Sequence, residues 1–366
     1  MGSIEKFLWF LYKCFAFYTL VVYALILWIP FDGWVAGFMM MSFPIVILVH
    51  VISLPVWFVV KKQKALLPLA LILLGGIFLD RTYAFGNSRS GDEHDSAGSF
   101  RVLSYNTQVF MRNAGTSDDV RKEQVREMKN WIAENGDVLC MPEFYDEGRA
   151  MFKTTKYFES RGFRHSVRYE HAPIRWGQYV GLALFSKYPI VSSQDTIFEA
   201  QNGMIRADLK IGKDTVRIIA LHLYSMTLDL NKLAHQKKVD GVVKEGRVTL
   251  SRMKFGFKKR SQEIKALQAW AEDSPYPVIV CGDFNEIPYG YVYGKMRKSF
   301  ANAFEDKGSG FGFSFGKLPY FIRIDHQFYD SDKLELLDFQ THRNVKYSDH
   351  YPVTASYRFG SAKKSE

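Results

Sequence analysis

Long apolar runs alternate with short polar breaks over the first eighty residues of the chain. Residues 7–30 are almost wholly apolar and aromatic, residues 34–60 form a second such run, and residues 66–79 form a third, shorter one. A helix needs about 20 apolar residues to cross a bilayer, so the first two runs are long enough and the third is marginal. A signal peptide would have a single short apolar region and a small-residue cleavage site. The pattern therefore predicts a membrane region at residues 1–80 with two or three transmembrane helices.

Basic residues between the second and third runs predict the orientation of this region. Lys61, Lys62 and Lys64 lie in that loop, whereas the turn between the first two runs carries only Asp32. Because positively charged loops stay in the cytoplasm, the N-terminus is predicted to be cytoplasmic. If the third run spans the bilayer, the chain after Asp80 is extracytoplasmic; if it only dips into the membrane, that assignment reverses. We expect a multi-pass integral membrane protein with an extracytoplasmic domain, which in a bacterium would face the periplasm from the inner membrane.

Strand-like runs and turns recur through the rest of the chain. They predict one α/β domain at residues 100–360, between a polar linker at 81–99 and a polar tail at 361–366. Helical periodicity is present at residues 117–135 and 261–272. Strands are predicted at residues 100–106, 137–143, 179–187, 205–211, 215–223, 278–281, 323–329 and 347–357.

Two segments of unusual composition lie inside this domain. Residues 231–260 carry ten lysines and arginines. They form either a solvated, partly helical insertion or a flap that faces phosphates or lipid headgroups. Residues 308–316, with the sequence GSGFGFSFG, form an aromatic loop that either packs on the domain or contacts a substrate or a membrane.

Composition narrows the class of partner without choosing one. The 366-residue chain has a formal net charge of +10, which favours anionic partners such as phosphate esters, nucleic acid or lipid headgroups. Its three cysteines, Cys14, Cys140 and Cys281, are odd in number and widely spaced. This argues against a disulfide framework or a zinc knuckle, so we expect three small core residues. The composition indicates no particular protein partner.

Polar side chains at the ends of the predicted strands supply the candidate chemistry. Gly282, Asp283 and Asn285 follow the apolar run at residues 278–281, and residues two apart on an extended chain point to the same side. The alternative is a turn that uses these residue types for backbone reasons. Carboxylates, amides and histidines are the groups that metal-assisted phosphoester hydrolysis requires. Other predicted strand ends supply Asn106, Glu143, His222, Asp325, Asp349 and His350.

Two other chemistries have no motif in the sequence. It contains no HExxH pattern for zinc and no GxxxxGK[ST] loop for nucleoside triphosphates. At the last strand, adjacent Asp349 and His350 suggest an acid that orients and charge-stabilises an imidazole.

The predicted strand ends that carry these candidate residues, in their order along the chain, resemble the endonuclease/exonuclease/phosphatase superfamily. That superfamily includes deoxyribonuclease I, apurinic endonucleases, neutral sphingomyelinases and inositol polyphosphate 5-phosphatases. The resemblance runs from about Arg101 to Phe359 and excludes the apolar N-terminal runs. It implies a four-layered α/β sandwich of two packed mixed β-sheets flanked by helices, here preceded by transmembrane helices. The motifs that carry it are Leu103–Asn106, Met141–Glu143, Gly181–Pro189, His222–Leu223, Gly282–Asn285, Arg323–His326 and Ser348–His350.

The resemblance also implies a metal site. Mg²⁺, with Mn²⁺ as the alternative, would be held chiefly by Glu143, with Asn106 and Asp349 as further metal residues. Asp325 would lie close by and orient a histidine or the metal-bound water. The family usually has glutamine where this chain has Pro142, which weakens any transfer of substrate identity.

The same resemblance implies the catalytic roles. Asp283 and Asn285 would orient the attacking water and the phosphate. His350, paired with Asp349, would act in general acid/base catalysis. His222 would donate to a phosphate oxygen or to the leaving group.

Three functions are compatible with these features. A membrane tether and an aromatic loop favour an Mg²⁺-dependent phosphodiesterase that cleaves phospholipid headgroups, as a sphingomyelinase does. The basic segment at residues 231–260 is equally compatible with a surface-exposed nuclease acting on DNA or RNA. A catalytically silent, membrane-anchored binding module is the third alternative, and inositol phosphates are a further substrate class of the superfamily.

Overall fold

A bundle of apolar helices precedes an α/β domain in the computed structural model, which describes residues 2–86, 98–111, 115, 117–148, 150–169, 177–226, 239–317 and 319–360. The helices are α1 Ser3–Trp28, α2 Trp34–Met41, α3 Phe43–Val60, α4 Leu66–Gly75, α5 Leu79–Thr82, α6 Asp118–Glu134, α7 Thr154–Ser160, α8 Val239–Glu272, α9 Tyr291–Arg297 and α10 Ala303–Lys307. The strands are β1 Ala84–Phe85, β2 Ser99–Ser104, β3 Val138–Asp146, β4 His165–Arg168, β5 Tyr179–Ser186, β6 Ile190–Glu199, β7 Asn202–Ile211, β8 Asp214–His222, β9 Val278–Asp283, β10 Ala301–Asn302, β11 Ser309–Gly310, β12 Asp325–Tyr329, β13 Leu334–Thr341 and β14 Val353–Phe359.

Within the described residues, three helical stretches are long and apolar enough to cross a membrane, by length and composition. They are Ser3–Trp28, Phe43–Val60 and Lys62–Thr82, of 26, 18 and 21 residues. The second apolar run is not one helix, because it breaks at Ser42 into α2 and α3. Pro44 lies in the first turn of α3, where the missing N–H of proline is tolerated, so the new helix begins there.

Two six-stranded sheets pack face to face and form the centre of the domain. The first has the strand order β10-β12-β9-β8-β7-β6 and the second β13-β14-β2-β3-β5-β4. Both are mixed, since β8 pairs with β9 in parallel and β2 pairs with β3 in parallel, whereas the other neighbours are antiparallel. Val102, Cys140, Ile218 and Cys281 are among the buried side chains of the core. The predicted four-layered sandwich is therefore confirmed.

A buried amide joins the two sheets directly. Gln327 on β12 of the first sheet donates from Nε2 to the carbonyl oxygens of Val102 and Val353 in the second sheet, both at 3.2 Å. Tyr357 on β14 donates its hydroxyl to Oε1 of Gln327 at 3.1 Å. All the polar atoms of the Gln327 side chain are therefore engaged with the second sheet. These bonds hold the two sheets together at a position two residues after Asp325.

Helices cover the outer faces, and one differs from its predicted extent. Helix α6 matches the predicted helix at residues 117–135. Helix α8 is continuous from Val239 to Glu272, so the helix predicted at residues 261–272 extends back through most of the basic segment, for which a partly helical insertion was one alternative. Its basic residues are good helix formers, and Met253 and Phe257 extend the buried face toward the N-terminus.

Parts of three predicted segments lie outside the described residues. These are residues 87–97 of the linker, 231–238 of the basic segment and all of the tail at 361–366. At the start of the linker, β1 pairs with β11 in the aromatic loop. Cys140 and Cys281 are buried as predicted, but Cys14 is exposed on α1, so its assignment to a core was wrong.

Candidate active site

The candidate residues meet where both sheets end. His222 ends β8 and Asp283 ends β9, and the two are paired in the parallel register. Gly282, just before Asp283, has φ of +147°, and a Cβ there would lie 2.0 Å from the carbonyl oxygen of Leu221. Only glycine allows this approach of the two strands, which delivers His222 and Asp283 side by side.

Asp283 is the hub of the site. Its side chain is 2% exposed, and its Oδ2 accepts a hydrogen bond from Nδ2 of Asn106 at 3.1 Å. Its Oδ1 accepts from the backbone N–H of Asn285 at 2.8 Å. Nε2 of His222 and Nε2 of His350 each lie 3.7 Å from Oδ2. One buried carboxylate therefore faces two imidazoles and one amide.

Glu143 reaches the site because β3 is irregular. The register between β3 and β5 shifts between Met141 and Phe144, and Glu143 has φ of +52°. Pro142 has no N–H to give to the ladder, which favours a bulge at this position. Nδ2 of Asn106 donates to Oε1 of Glu143 at 3.1 Å, as it does to Asp283. The bulge thus brings the second carboxylate to the same amide.

The acid that orients His350 is Asp325, which corrects the predicted pairing with Asp349. Nδ1 of His350 lies 2.9 Å from Oδ2 of Asp325 at the start of β12. The Asp349 carboxylate instead forms an ion pair with Lys317, with Nζ and Oδ2 at 2.6 Å. Consecutive residues on extended chain point to opposite sides, so Asp349 and His350 cannot both face the site in the same way.

The two remaining predicted residues lie beside Asp283. Asn285 is half-buried with φ of +50°, and its Nδ2 donates to the carbonyl oxygen of Leu223 at 3.0 Å. His222 has a side chain 2% exposed, and its Nε2 has no hydrogen-bond partner among the described residues. An imidazole nitrogen left without a partner next to Asp283 is suited to meet a ligand atom.

Burial and charge set the electrostatics. Burial raises the pKa of Glu143 and the pKa of Asp283, because each carboxylate is removed from water. Burial alone would lower the pKa of His350, but the carboxylates of Asp325 and Asp283 outweigh it and raise that pKa to about 10. Burial lowers the pKa of His222, so its neutral form is favoured. The site therefore combines an imidazole favoured in its charged form, an imidazole favoured in its neutral form and the three carboxylates of Glu143, Asp283 and Asp325.

The donor set fits a hard divalent cation. Asp283, Asp325 and His350 form a buried group whose ligand-type atoms lie within 4.8 Å of one another. Because the charged form of His350 is favoured and its Nδ1 is bonded to Asp325, the carboxylates of this group suit a cation and the imidazole does not. Glu143 adds carboxylate oxygens nearby. Asn106 points its Nδ2 at Glu143 and Asp283, and its Oδ1 accepts from the N–H of Gln108 at 3.1 Å. Burial disfavours the charged form of Glu143, which a bound cation would reverse, and oxygen ligands are those that Mg²⁺ prefers.

Several residues that support the site carried no predicted role. Ser348 donates its hydroxyl to the carbonyl oxygen of Asn106 at 2.8 Å, and Thr107 donates to that of Glu143 at 2.9 Å. Ser314 accepts from the N–H of Asp325 at 3.1 Å. Only Ser348 and Thr107 had a signal in the sequence, since they stand next to site residues. Ser314 reaches the site from the aromatic loop through tertiary packing.

Comparison with known proteins supplies the family. Residues 103–350 match the model described as the Endonuclease/Exonuclease/phosphatase family, and residues 5–82 match a domain of unknown function, DUF8431. Members of the first family are hydrolases that include nucleases and phosphatases. No curated protein sequence matches the chain significantly.

Two solved structures are similar to the chain in fold. One is an endonuclease/exonuclease/phosphatase from Bacteroides vulgatus, with 13% identity over 72% of this chain and 99% of that chain, and a TM-score of 0.50. The other is TDP2 from D. rerio humanized by 14 mutations, with 13% identity over 71% of this chain and 99% of that chain, and a TM-score of 0.50. At such identities the likeness concerns the fold alone.

Proposed function

This chain belongs to the endonuclease/exonuclease/phosphatase family, and we propose that it is a membrane-anchored, Mg²⁺-dependent phosphodiesterase that cleaves phospholipid headgroups. Mn²⁺ is the alternative ion. The proposal extends the phosphoesterase character of the family to a substrate that lies in the same bilayer as the helices.

One observation carries the choice of substrate. The loop that follows Asn285 packs into the apolar helices, where the Tyr289 ring lies 4.4 Å from the ring of Phe43 at the start of α3. The Tyr289 hydroxyl also lies 2.8 Å from Oγ1 of Thr82, at the end of the third apolar stretch. The site residue Asn285 is thus four residues from a contact with the helices, which favours a substrate presented by the membrane.

The packing of the helices supports a three-span arrangement. Lys298 of the domain donates to the carbonyl oxygen of Trp28, at the end of α1, at 3.3 Å. The end of the first stretch, the start of the second and the end of the third therefore all meet the domain. At the opposite ends, Lys64 pairs with Glu5 at 2.9 Å. Because basic loops stay in the cytoplasm, this arrangement favours an extracytoplasmic domain.

In this proposal Glu143 and Asn106 would hold the metal, with Asp349 at the rim and Asp283 next to Asn106. The Asn106 oxygen, which accepts from the N–H of Gln108, would have to turn toward the ion. When bound, the metal would polarise the phosphoryl oxygens and neutralise their charge. The pair of Asp349 with Lys317 would have to open for Asp349 to serve as a ligand.

The side chains of the protein divide the remaining work. Asp283 orients the attacking water and accepts its proton, with the Asn285 N–H fixing its carboxylate. His350, held charged by Asp325, places its Nε2–H next to the phosphate and stabilises the developing negative charge. His222 faces the same point and donates to a phosphate oxygen or to the leaving group.

The test is hydrolysis by the full-length protein in mixed micelles, with Mg²⁺ or with chelator, on sphingomyelin, phosphatidylcholine and plasmid DNA in parallel. We expect Mg²⁺-dependent headgroup release that Asp283→Asn reduces by about 10²–10⁴-fold, as for loss of one acid/base group. Asp119→Asn, which changes an exposed carboxylate in the first turn of α6, is the matched control and should leave the rate unchanged.

A nuclease is the second candidate, favoured by the basic α8 and the net charge of +10. DNA nicking without headgroup release would replace the lipid proposal with this one. Headgroup or inositol phosphate binding that is unaffected by Asp283→Asn, with no turnover of any substrate, would instead indicate a silent binding module.

A further inference from the structure

Helix α8 extends well beyond the part of it that the domain buries. Its 34 residues span about 50 Å at 1.5 Å per residue. Ile264 and Leu267, in the C-terminal half, are buried against the first sheet. In the N-terminal half, Val242 is 43% exposed and Leu250 is 56% exposed.

Val242 and Leu250 continue the buried face of the same helix, whereas the exposed Val248 and Phe255 lie on the opposite face. At 3.6 residues per turn, Val242, Leu250, Met253, Phe257 and Ile264 fall on one stripe along α8. The stripe is buried from Met253 onward and exposed before it. The N-terminal half therefore presents an apolar stripe that is exposed in the part of the domain that the structure describes.

This stripe meets the apolar helices at α2. The Phe257 ring lies 5.3 Å from the ring of Phe38, and a Cβ on Gly37 would lie 2.7 Å from the Phe257 ring. Lys254 places its Nζ 4.8 Å above the ring of Trp34. Because the stripe faces the apolar helices at this point, it faces the same side along the rest of a straight helix.

The contact between α8 and α2 lies at the level of the membrane surface. Trp28, Phe31 and Trp34 are exposed at the turn between the first two apolar stretches, and such aromatic residues mark the boundary between lipid and water. Arg247 lies two turns before Lys254 on the same flank of α8. An exposed apolar stripe with a basic flank is the composition of a helix that lies in the headgroup region.

We propose that the N-terminal half of α8 lies on the bilayer surface, with Val242 and Leu250 at the boundary between headgroups and acyl chains and the basic flank at anionic headgroups. This inference rests on membrane insertion of the apolar helices, which is part of the proposed function. It adds a second membrane contact, from a helix whose C-terminal half packs against the sheet that carries Asp283.

Fluorescent labels at single cysteines test the inference in the full-length protein. Cys14→Ser removes the exposed cysteine, while Cys140 and Cys281 are buried. A nitrobenzoxadiazole label is then placed at Leu250→Cys on the stripe or at Val248→Cys, which is exposed on the opposite face. The protein is reconstituted in equimolar phosphatidylcholine and phosphatidylglycerol vesicles that carry a nitroxide high or low on the acyl chain.

We expect the label at Leu250 to be quenched by the shallow nitroxide several-fold more strongly than the label at Val248. A third label at Phe17→Cys, an exposed position in the middle of α1, reports insertion itself through quenching by the deep nitroxide. Quenching at Phe17 with equal or absent quenching at Leu250 and Val248 would overturn the inference alone. Absence of quenching at Phe17 would overturn membrane insertion, and with it the proposed function.

Another occupant of the stripe would give a different result. If a second copy of the chain covered the stripe, the protein in detergent would be a dimer that can be cross-linked. The label at Leu250 would then be shielded from water. It would then also escape both nitroxides in vesicles, which would refute the membrane contact.

Discussion

Gly282 connects the stability of the sheet to the geometry of the site, and Gly282→Ala should damage both. Its φ of +147° is a conformation that alanine adopts only with strain of about 1–3 kcal/mol. The added Cβ would also lie 2.0 Å from the carbonyl oxygen of Leu221 on β8, so the parallel ladder has to open. Overpacking of this kind costs a further 1–3 kcal/mol or so. We expect a loss of about 4 kcal/mol in the free energy of unfolding.

Gly212→Ala separates strain from collision. Gly212 lies in the turn between β7 and β8 with φ of +59°, and no atom lies within 4 Å of its would-be Cβ. Alanine there should cost only about 1 kcal/mol, because a left-handed residue is strained but not crowded. The difference between the two variants therefore measures the close approach of β8 and β9 at Gly282.

Thermal unfolding of the full-length protein in detergent, followed by near-UV circular dichroism, provides the assay. A loss of 4 kcal/mol should lower the melting temperature of a domain of this size by about 10 °C. Because Asp283 is the next residue after Gly282, its carboxylate should shift with the strand. A displacement of about 1 Å can lower kcat by about 10²-fold. If the melting temperature of Gly282→Ala lies within a few degrees of that of Gly212→Ala, the close approach of β8 and β9 at Gly282 does not contribute to stability as proposed.

Three further predictions concern the site and the scaffold. Asp325→Asn removes the acid that hydrogen-bonds His350, and kcat at saturating substrate should fall by about 10²–10⁴-fold. Chelation should abolish turnover and added Mg²⁺ should restore it, while Glu143→Gln should raise the Mg²⁺ concentration that gives half the maximal rate. Arg217→Met leaves the buried Asp208 carboxylate without its partner at 2.7 Å, and should lower the free energy of unfolding by about 3–5 kcal/mol, measured by thermal melting, with normal activity in the folded fraction.

Controls make the first two of these specific. Lys317→Met breaks only a half-exposed ion pair with Asp349, so it should change kcat far less than Asp325→Asn does. An equal loss of kcat in the two variants would contradict the assignment of the orienting role to Asp325. An unchanged Mg²⁺ requirement in Glu143→Gln would exclude Glu143 as the main ligand.

The positions of the site residues could largely be predicted, because they depend on strand ends. A buried apolar run followed by a polar residue was sufficient to single out Asn106, Glu143, His222 and Asp283, and the structure brings these four together. The reason is physical, since the ends of neighbouring parallel strands share one edge of a sheet. Glu143 is the exception among them, because it projects from a bulge inside β3 and not from the end of that strand.

The pairings between site residues could be predicted only in part. The resemblance implied that Asp325 orients a histidine or the metal-bound water, but it paired His350 with Asp349. Asp349 is the sequence neighbour of His350, but the hydrogen-bonding acid lies 25 residues earlier on another sheet. Such contacts depend on how the two sheets are placed, which local pattern does not record. The contact of Tyr289 with the apolar helices has the same origin, since nothing in an isolated loop indicates which surface will cover it.

The buried Gln327 has a consequence for how this site can be disturbed. His222, Asp283 and Asp325 are carried by one sheet, whereas Asn106, Glu143 and His350 are carried by the other. The two halves of the site are aligned only as well as the two sheets are, and Gln327 limits how far one can slide over the other. The catalytic rate should therefore fall when one sheet shifts relative to the other, even where the shift is caused by a core substitution far from any reacting atom. A ligand that bridges both halves should in turn lock the layers together and stiffen the whole sandwich.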